Sequence, residues 1–130
     1  MKVLLDTCAI LWAVSAPRQL STDAKEILAR LDTEPFVSAI SSAEIACAYE
    51  RGRIELKQHW KSWFRHYLGL NQWQCLAIDL AIMEEAYSLP TPFHTDPADR
   101  IVVATARIHD LCVVTADRKI LDYPHVQSLW

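Results

Sequence analysis

Four carboxylates, Asp6, Glu44, Asp99 and Asp117, each stand where an apolar, strand-like run gives way to a helix-like one. In an open α/β sheet such junctions lie at the carboxyl ends of strands and face a common crevice. Carboxylates gathered there repel one another unless some take up protons or a cation sits among them. An all-oxygen ligand set suits a hard divalent cation, Mg²⁺ or Mn²⁺. The matching chemistry is phosphodiester hydrolysis, in which such a cation polarises the phosphate and eases deprotonation of the attacking water.

Taken singly, each acid also has an ordinary role. Asp6 and Asp117 can cap the helices that follow them. Glu44 stands three residues after Ser41, the spacing of a capping box. Asp99 falls in the first turn of a helix that Asp96 can cap, a favoured place for negative charge. Capping, however, requires only Ser, Thr, Asn or Asp, whereas here a carboxylate recurs just beyond strand after strand. VLLDT and VVTAD repeat the same context, a buried strand delivering an acid to its carboxyl end.

The elements that must position these acids are legible as alternating patterns. Residues 2–5 read as a buried strand and CAILWAVS as a short helix ending near Pro17. Ser21 can cap a helix reaching Leu31, with Ile27, Leu28 and Leu31 facing inward. Pro35 breaks the chain before a strand, FVSAI, and a helix follows over 42–51, closed by Gly52. A helix over 57–68 carries Trp60, Trp63, Phe64 and Tyr67 at i, i+3, i+4, i+7 spacing. CLAI reads as a third strand and 80–87 as a helix. Pro97 opens a helix running to about His109. LCVVT is a β-branched strand, 118–122 a short helix, and VQSLW an edge strand. This alternation predicts one α/β unit over 1–130, a central, mostly parallel twisted sheet with helices on both faces.

Composition narrows the class. The chain of 130 residues is 52% hydrophobic, enough for a real core, and its 2 glycines argue against a glycine-rich phosphate loop. No apolar run approaches the roughly 18 residues of a membrane span, and no signal peptide is recognisable, so a cytoplasmic protein is expected. Cys8, Cys47, Cys75 and Cys112 form no CxxC pair and read as small buried hydrophobes, Cys8 packing inward. The net charge of −3 hides a segregation: Arg51, Arg53, Lys57, Lys61 and Arg65 cluster in one helical region of an otherwise acidic chain. Those cations, interleaved with the aromatics of 60–67, are candidates for holding single-stranded RNA.

The motifs LLDTCAILW, SSAEIA, LPTPFHTDPADRIVVATA and VVTADRKILDYPHV, in this order, span nearly the whole chain. Together they resemble the PIN-domain nucleases, and within them the VapC-type toxins of toxin–antitoxin pairs. The resemblance implies a PIN-like fold and a Mg²⁺- or Mn²⁺-dependent endoribonuclease that cuts structured cellular RNA, such as transfer or ribosomal RNA, leaving 5′-phosphate and 3′-hydroxyl ends. It places the acidic quartet on Asp6, Glu44, Asp99 and Asp117. Asp6, Asp99 and Asp117 are then metal ligands, while Glu44 completes the site or orients water. It also implies a homodimer and a cognate VapB-like antitoxin that fills an apolar groove and sets a basic side chain among the acids. Ala98 departs from the pattern, standing where relatives often carry a bulky apolar residue.

Thr7, Asp96, Arg100 and Thr115 are candidate supports. Thr7 and Thr115 offer hydroxyls to the acids, Asp96 caps the helix, and Arg100 can pair with Asp96 or meet a phosphate. His94 reads as a structural loop histidine. Two other functions compete: a non-toxin PIN nuclease for RNA processing or DNA, and an RNA-binding module without catalysis. A phosphatase with an aspartyl nucleophile is disfavoured, because Cys8 occupies the place of its second aspartate.

Overall fold

The computed structural model describes residues 1–130. Its centre is a five-stranded sheet in the order β3-β2-β1-β4-β5, built from β1 (Lys2–Leu5), β2 (Glu34–Ser38), β3 (Gln74–Leu76), β4 (Cys112–Val114) and β5 (Ser128–Leu129). Every neighbouring pair is parallel. The chain builds outward from β1 through β2 to β3, then returns to the other flank of β1 with β4. That reversal puts a topological switch point beside the carboxyl end of β1, where open α/β sheets form their crevice.

Alternation along β1 divides the core. Val3 and Leu5 join Val37, Cys112 and Val114 on one face, packed with Ile10, Ala24, Ile45, Trp63 and Phe64. These come from α1 (Thr7–Ser15), α2 (Thr22–Ala29), α3 (Ala39–Glu50) and α4 (Trp60–Asn71). Leu4 and Val113 point the other way, into a cluster with Val102, Val103, Ala106 and Ile120 from α6 (Pro97–His109) and α7 (Arg118–Leu121). On the outer side of α6, Ile101 and Ala104 hold Ile82 and Ala86 of α5 (Leu80–Ala86). Helices thus cover both faces, as the alternating pattern predicts.

Several boundaries differ from the sequence expectation. Helix α3 begins at Ala39, capped by Ser38, whose hydroxyl accepts from Ile40 N–H at 3.1 Å. Ser41 is therefore not a cap; it is buried inside the helix. Pro35 lies within β2, not before it, and β3 pairs only with Phe36–Ser38, so no bond to β3 is lost at the proline. Helix α2 stops at Ala29, and Leu31 is fully exposed instead of facing inward. The chain leaves the helix at Arg30, which pairs with Asp32. Arg51, Arg53 and Lys57 lie in the loop between α3 and α4, and only Lys61 and Arg65 are helical. Of the cysteines, Cys112 alone is buried; Cys8, Cys47 and Cys75 are exposed, correcting their assignment to the core.

Ile45 is fully buried where α3 meets β1 and β2. Ile45→Ala is expected to cost about 2–5 kcal/mol in urea denaturation. A loss below about 1 kcal/mol would show that α3, the carrier of Glu44, is not anchored through this contact.

Candidate active site

The residues after each strand end build the site. The β1–β4 ladder continues one step past the strands, Asp6 N–H donating to Val114 C=O at 3.1 Å. Asp6 then caps α1, one carboxylate oxygen accepting from Ala9 N–H at 2.8 Å. Its other oxygen accepts from the hydroxyl of Thr115, which is fully buried. The same hydroxyl accepts from Asp117 N–H at 3.0 Å. One threonine therefore fixes the first acid and the backbone of the last. Asp117 caps α7 through Lys119 N–H at 2.9 Å.

Glu44 comes from the interior of α3, not from its first turn. Thr7 Oγ1 donates to Glu44 Oε1 at 2.5 Å and lies 2.9 Å from Ser41 Oγ. Ser41 and Glu44 share a face at i, i+3, so α3 presents a hydroxyl and a carboxylate to the start of α1. Asp99 sits in the first turn of α6. Asp96 caps that helix, accepting from Ala98 N–H at 2.9 Å and Asp99 N–H at 3.3 Å. His94 Nε2 is 3.1 Å from Asp99 Oδ2, yet it makes no aligned hydrogen bond, so the pair is a close contact only.

Asp6, Glu44, Asp99 and Asp117 line one cleft of about 330 Å³, with Thr7, Cys8, Trp12, Val102 and Ala116. No three of the acids converge as tightly as the ligands of a bound ion. Each is held by its own neutral donor or by a contact with His94, and like charges keep apart. The donor set nevertheless fits a hard cation, because it is made of oxygen and the cleft wall holds no Lys or Arg.

The electrostatics carry the same message. Burial raises the Asp6 carboxyl above its usual range; Thr115 and Ala9 oppose that effect, and Asp117 and Glu44 add to it. Burial likewise raises Glu44, against the hydrogen bond from Thr7, with Asp96 adding to the rise. Asp99 is pushed up to about 7, first by burial and then by Asp96, Asp117, Glu44 and Asp6. Cys8, at the cleft wall, is pushed up to about 11 by burial and then by the four acids, so it stays a thiol at neutral pH.

The remaining candidates divide. Thr7 and Thr115 touch the acids, and Asp96 acts as a helix cap. Arg100 neither pairs with Asp96 nor enters the cleft. Its guanidinium donates to Ala86 C=O at 2.9 Å and Phe93 C=O at 3.1 Å, tying the end of α5 and the loop after it to α6. Arg51, Arg53, Lys57, Lys61 and Arg65 are exposed and lie outside the cleft wall. Sequence reasoning does not find Trp12 and Cys8 as cleft residues, nor the buried Ser41 as the partner of Thr7. The i, i+3 pairing of Ser41 with Glu44, and the i, i+4 pairing of Cys8 with Trp12, were the available signals.

Over residues 3–126 the sequence matches the PIN domain family. This chain belongs to the PIN-domain family. Within it, the chain is similar to ribonuclease VapC22 of Mycobacterium tuberculosis (strain ATCC 25618 / H37Rv), at 34% identity over 123 residues, covering 95% of this chain and 92% of that protein. The PIN domain is therefore of the VapC type. Its fold is shared with VapBC2 from Rickettsia felis bound to a promoter DNA fragment, at TM-score 0.74 and 17% identity over 99% of this chain and 98% of that one. It is also shared with a toxin–antitoxin complex from Klebsiella pneumoniae, at TM-score 0.70 and 20% identity over 98% and 96%. FitAcB from Neisseria gonorrhoeae matches at TM-score 0.69 and 22% identity over 100% and 97%.

The raised acids make the PIN domain's stability depend on pH. Asp99 binds its proton more tightly folded than unfolded. Its contribution to stability is complete below about pH 4 and is lost as pH rises through about 7. Metal-free protein is expected to melt lower at pH 8 than at pH 5.5. Asp99→Asn should raise the pH 8 melting temperature, on the order of 3–8 °C, and flatten the pH dependence. A variant that melts no higher at pH 8 would contradict the buried, repelled carboxyl.

Proposed function

We propose that this PIN domain is a divalent-metal-dependent endoribonuclease, acting as the toxin of a toxin–antitoxin pair. The observation that carries the reading is the convergence of Asp6, Glu44, Asp99 and Asp117 on one cleft at the switch point of the sheet. Asp6, Asp99 and Asp117, with Glu44, would hold Mg²⁺ or Mn²⁺. When bound, the ion polarises the phosphate and makes the attacking water more acidic.

The chain's own residues do the rest. Thr115 fixes the Asp6 carboxylate, and Thr7 turns Glu44 toward the start of α1. In the metal-free cleft the Asp99 carboxyl is pushed up to about 7, so a cation bound there would displace its proton. Water oxygen would bond to phosphorus as the P–O3′ bond breaks; a cleft carboxylate would take the water proton and, as the acid so formed, return it to the leaving O3′. The products carry a 5′-phosphate and a 3′-hydroxyl.

RNA, an antitoxin and a second copy of the chain are the partners of this reading, and the cytoplasm is its place. Two solved relatives of the same fold are named as a toxin–antitoxin complex and as VapBC2, which supports an antitoxin partner. A second cleft of about 460 Å³ between α3 and α4, lined by Trp60, Phe64, Leu68, Lys61 and Arg65, offers an apolar floor with two cations to an antitoxin segment. The exposed Leu80, Met83 and Tyr87 along α5 suit a like surface on a second protomer.

The test is cleavage-site mapping on total cellular RNA, with and without Mg²⁺. Discrete cuts are expected only with metal. Asp99→Asn should lower the rate by about 10²-fold or more, and Thr115→Val by about 10- to 100-fold. Cuts that persist in Asp99→Asn would defeat the catalytic assignment and leave an RNA-binding role.

A further inference from the structure

Trp12 is the only aromatic side chain lining the acid cleft. It stands one turn beyond Cys8 on α1, and helical side chains lean toward the helix N-terminus. The indole thus extends the cleft wall that Cys8 begins, in the same cleft that Asp6 and Thr7 line. A core tryptophan in this chain looks different: Trp63 is 2% exposed, whereas Trp12 is only half-buried. Part of its ring packs on the main apolar cluster, and part forms cleft wall.

A second indole braces it. Trp130 lies with its ring centroid 5.6 Å from that of Trp12, the planes tilted by 53°. Its backbone is fixed to the same machinery. Thr115 N–H donates to Leu129 C=O at 3.1 Å, so the residue before Trp130 is bonded to the threonine that holds Asp6.

The cleft poses a problem for a polyanionic substrate. Four carboxylates line it and no Lys or Arg does, so phosphate is repelled except where a cation bridges it to the acids. Adhesion near the reacting phosphate must then come from a neutral contact. Stacking of a base on an aromatic ring is such a contact, and it is indifferent to base identity.

We propose that Trp12, braced by Trp130, is a substrate-positioning residue that stacks an unpaired nucleobase flanking the scissile phosphate of RNA. This rests on the endoribonuclease reading above. It assigns the PIN domain a preference for cuts where a neighbouring base is free to swing out of its stack, in a loop or a single strand.

The test uses the full chain with Mn²⁺ and synthetic single-stranded RNA spanning a cut mapped in total RNA. The oligonucleotide is either intact or carries one abasic nucleotide on either side of the scissile phosphate. On the intact strand, Trp12→Leu keeps apolar volume but lacks a π face, and should raise KM on the order of 10- to 100-fold with kcat within about twofold. Trp12→Phe should stay near wild type. For wild type, one of the abasic strands should raise KM by a similar factor, and that strand should cost Trp12→Leu nothing further.

If wild type cuts both abasic strands as readily as the intact one, the proposal is overturned, without any variant needing to fold. So does a Trp12→Leu enzyme with unchanged KM, or one that loses kcat equally on both strands, which would mark a packing or protomer-contact role. A wild type that cuts no strand, intact or abasic, overturns the nuclease reading itself and this inference with it.

Discussion

Parallel pairing of β1 with β4, in the register Leu5 to Val114, is the contact on which the site depends. It carries two acids to the same edge of the sheet and places Thr115 where its hydroxyl reaches Asp6 while accepting from Asp117 N–H. Shifting β4 by one residue would turn Thr115 and every apolar partner to the opposite face. The register is held by the core: Leu4 with Val113 on one side, and Val3 and Leu5 with Cys112 and Val114 on the other. Packing therefore fixes where the charges converge, although convergence itself opposes folding.

That opposition gives the site its chemical character. Carboxylates of the quartet are half-buried in one cleft, so desolvation raises Asp6, Glu44 and Asp99, and repulsion from neighbouring acids, Asp96 among them, adds to it. Local hydrogen bonds from Thr115, Thr7 and the helix starts offset only part of the cost. A divalent cation would remove the rest, so the arrangement is best stabilised in the state that does chemistry. Tension of this kind, tolerated at one place and compensated by a well-packed sheet, is expected of a functional site.

Much of this was legible in the residues. The strands, α6 with its Pro97 start, and the four acids stood out because each combines a local signal with a long apolar pattern. The misreadings share a cause. Ser41 and Glu44 match a capping box by spacing, but a fully buried serine and a hydrogen bond to Thr7, 37 residues away in the chain, show that tertiary contact decides their role. Cys8 is apolar enough for a core, yet the first turn of α1 faces the cleft. Arg100 has the charge to meet phosphate, but the carbonyls of Ala86, at the end of α5, and Phe93 claim it. Partners distant in sequence leave no periodic trace, so such assignments need the fold.

The central claim is that four carboxylates share one cleft and gather a cation there. Calorimetric titration of metal-free protein with Mn²⁺ in two buffers of different ionisation enthalpy tests it directly, because bound metal must displace protons from raised carboxyls. Binding should be tight at pH 8 and weaken toward pH 5.5. Near pH 6.5 it should release a substantial fraction of a proton per site, a release that Asp99→Asn abolishes. Binding with no proton release at pH 6.5, or an affinity unchanged in Asp6→Asn and Asp99→Asn, would contradict the account.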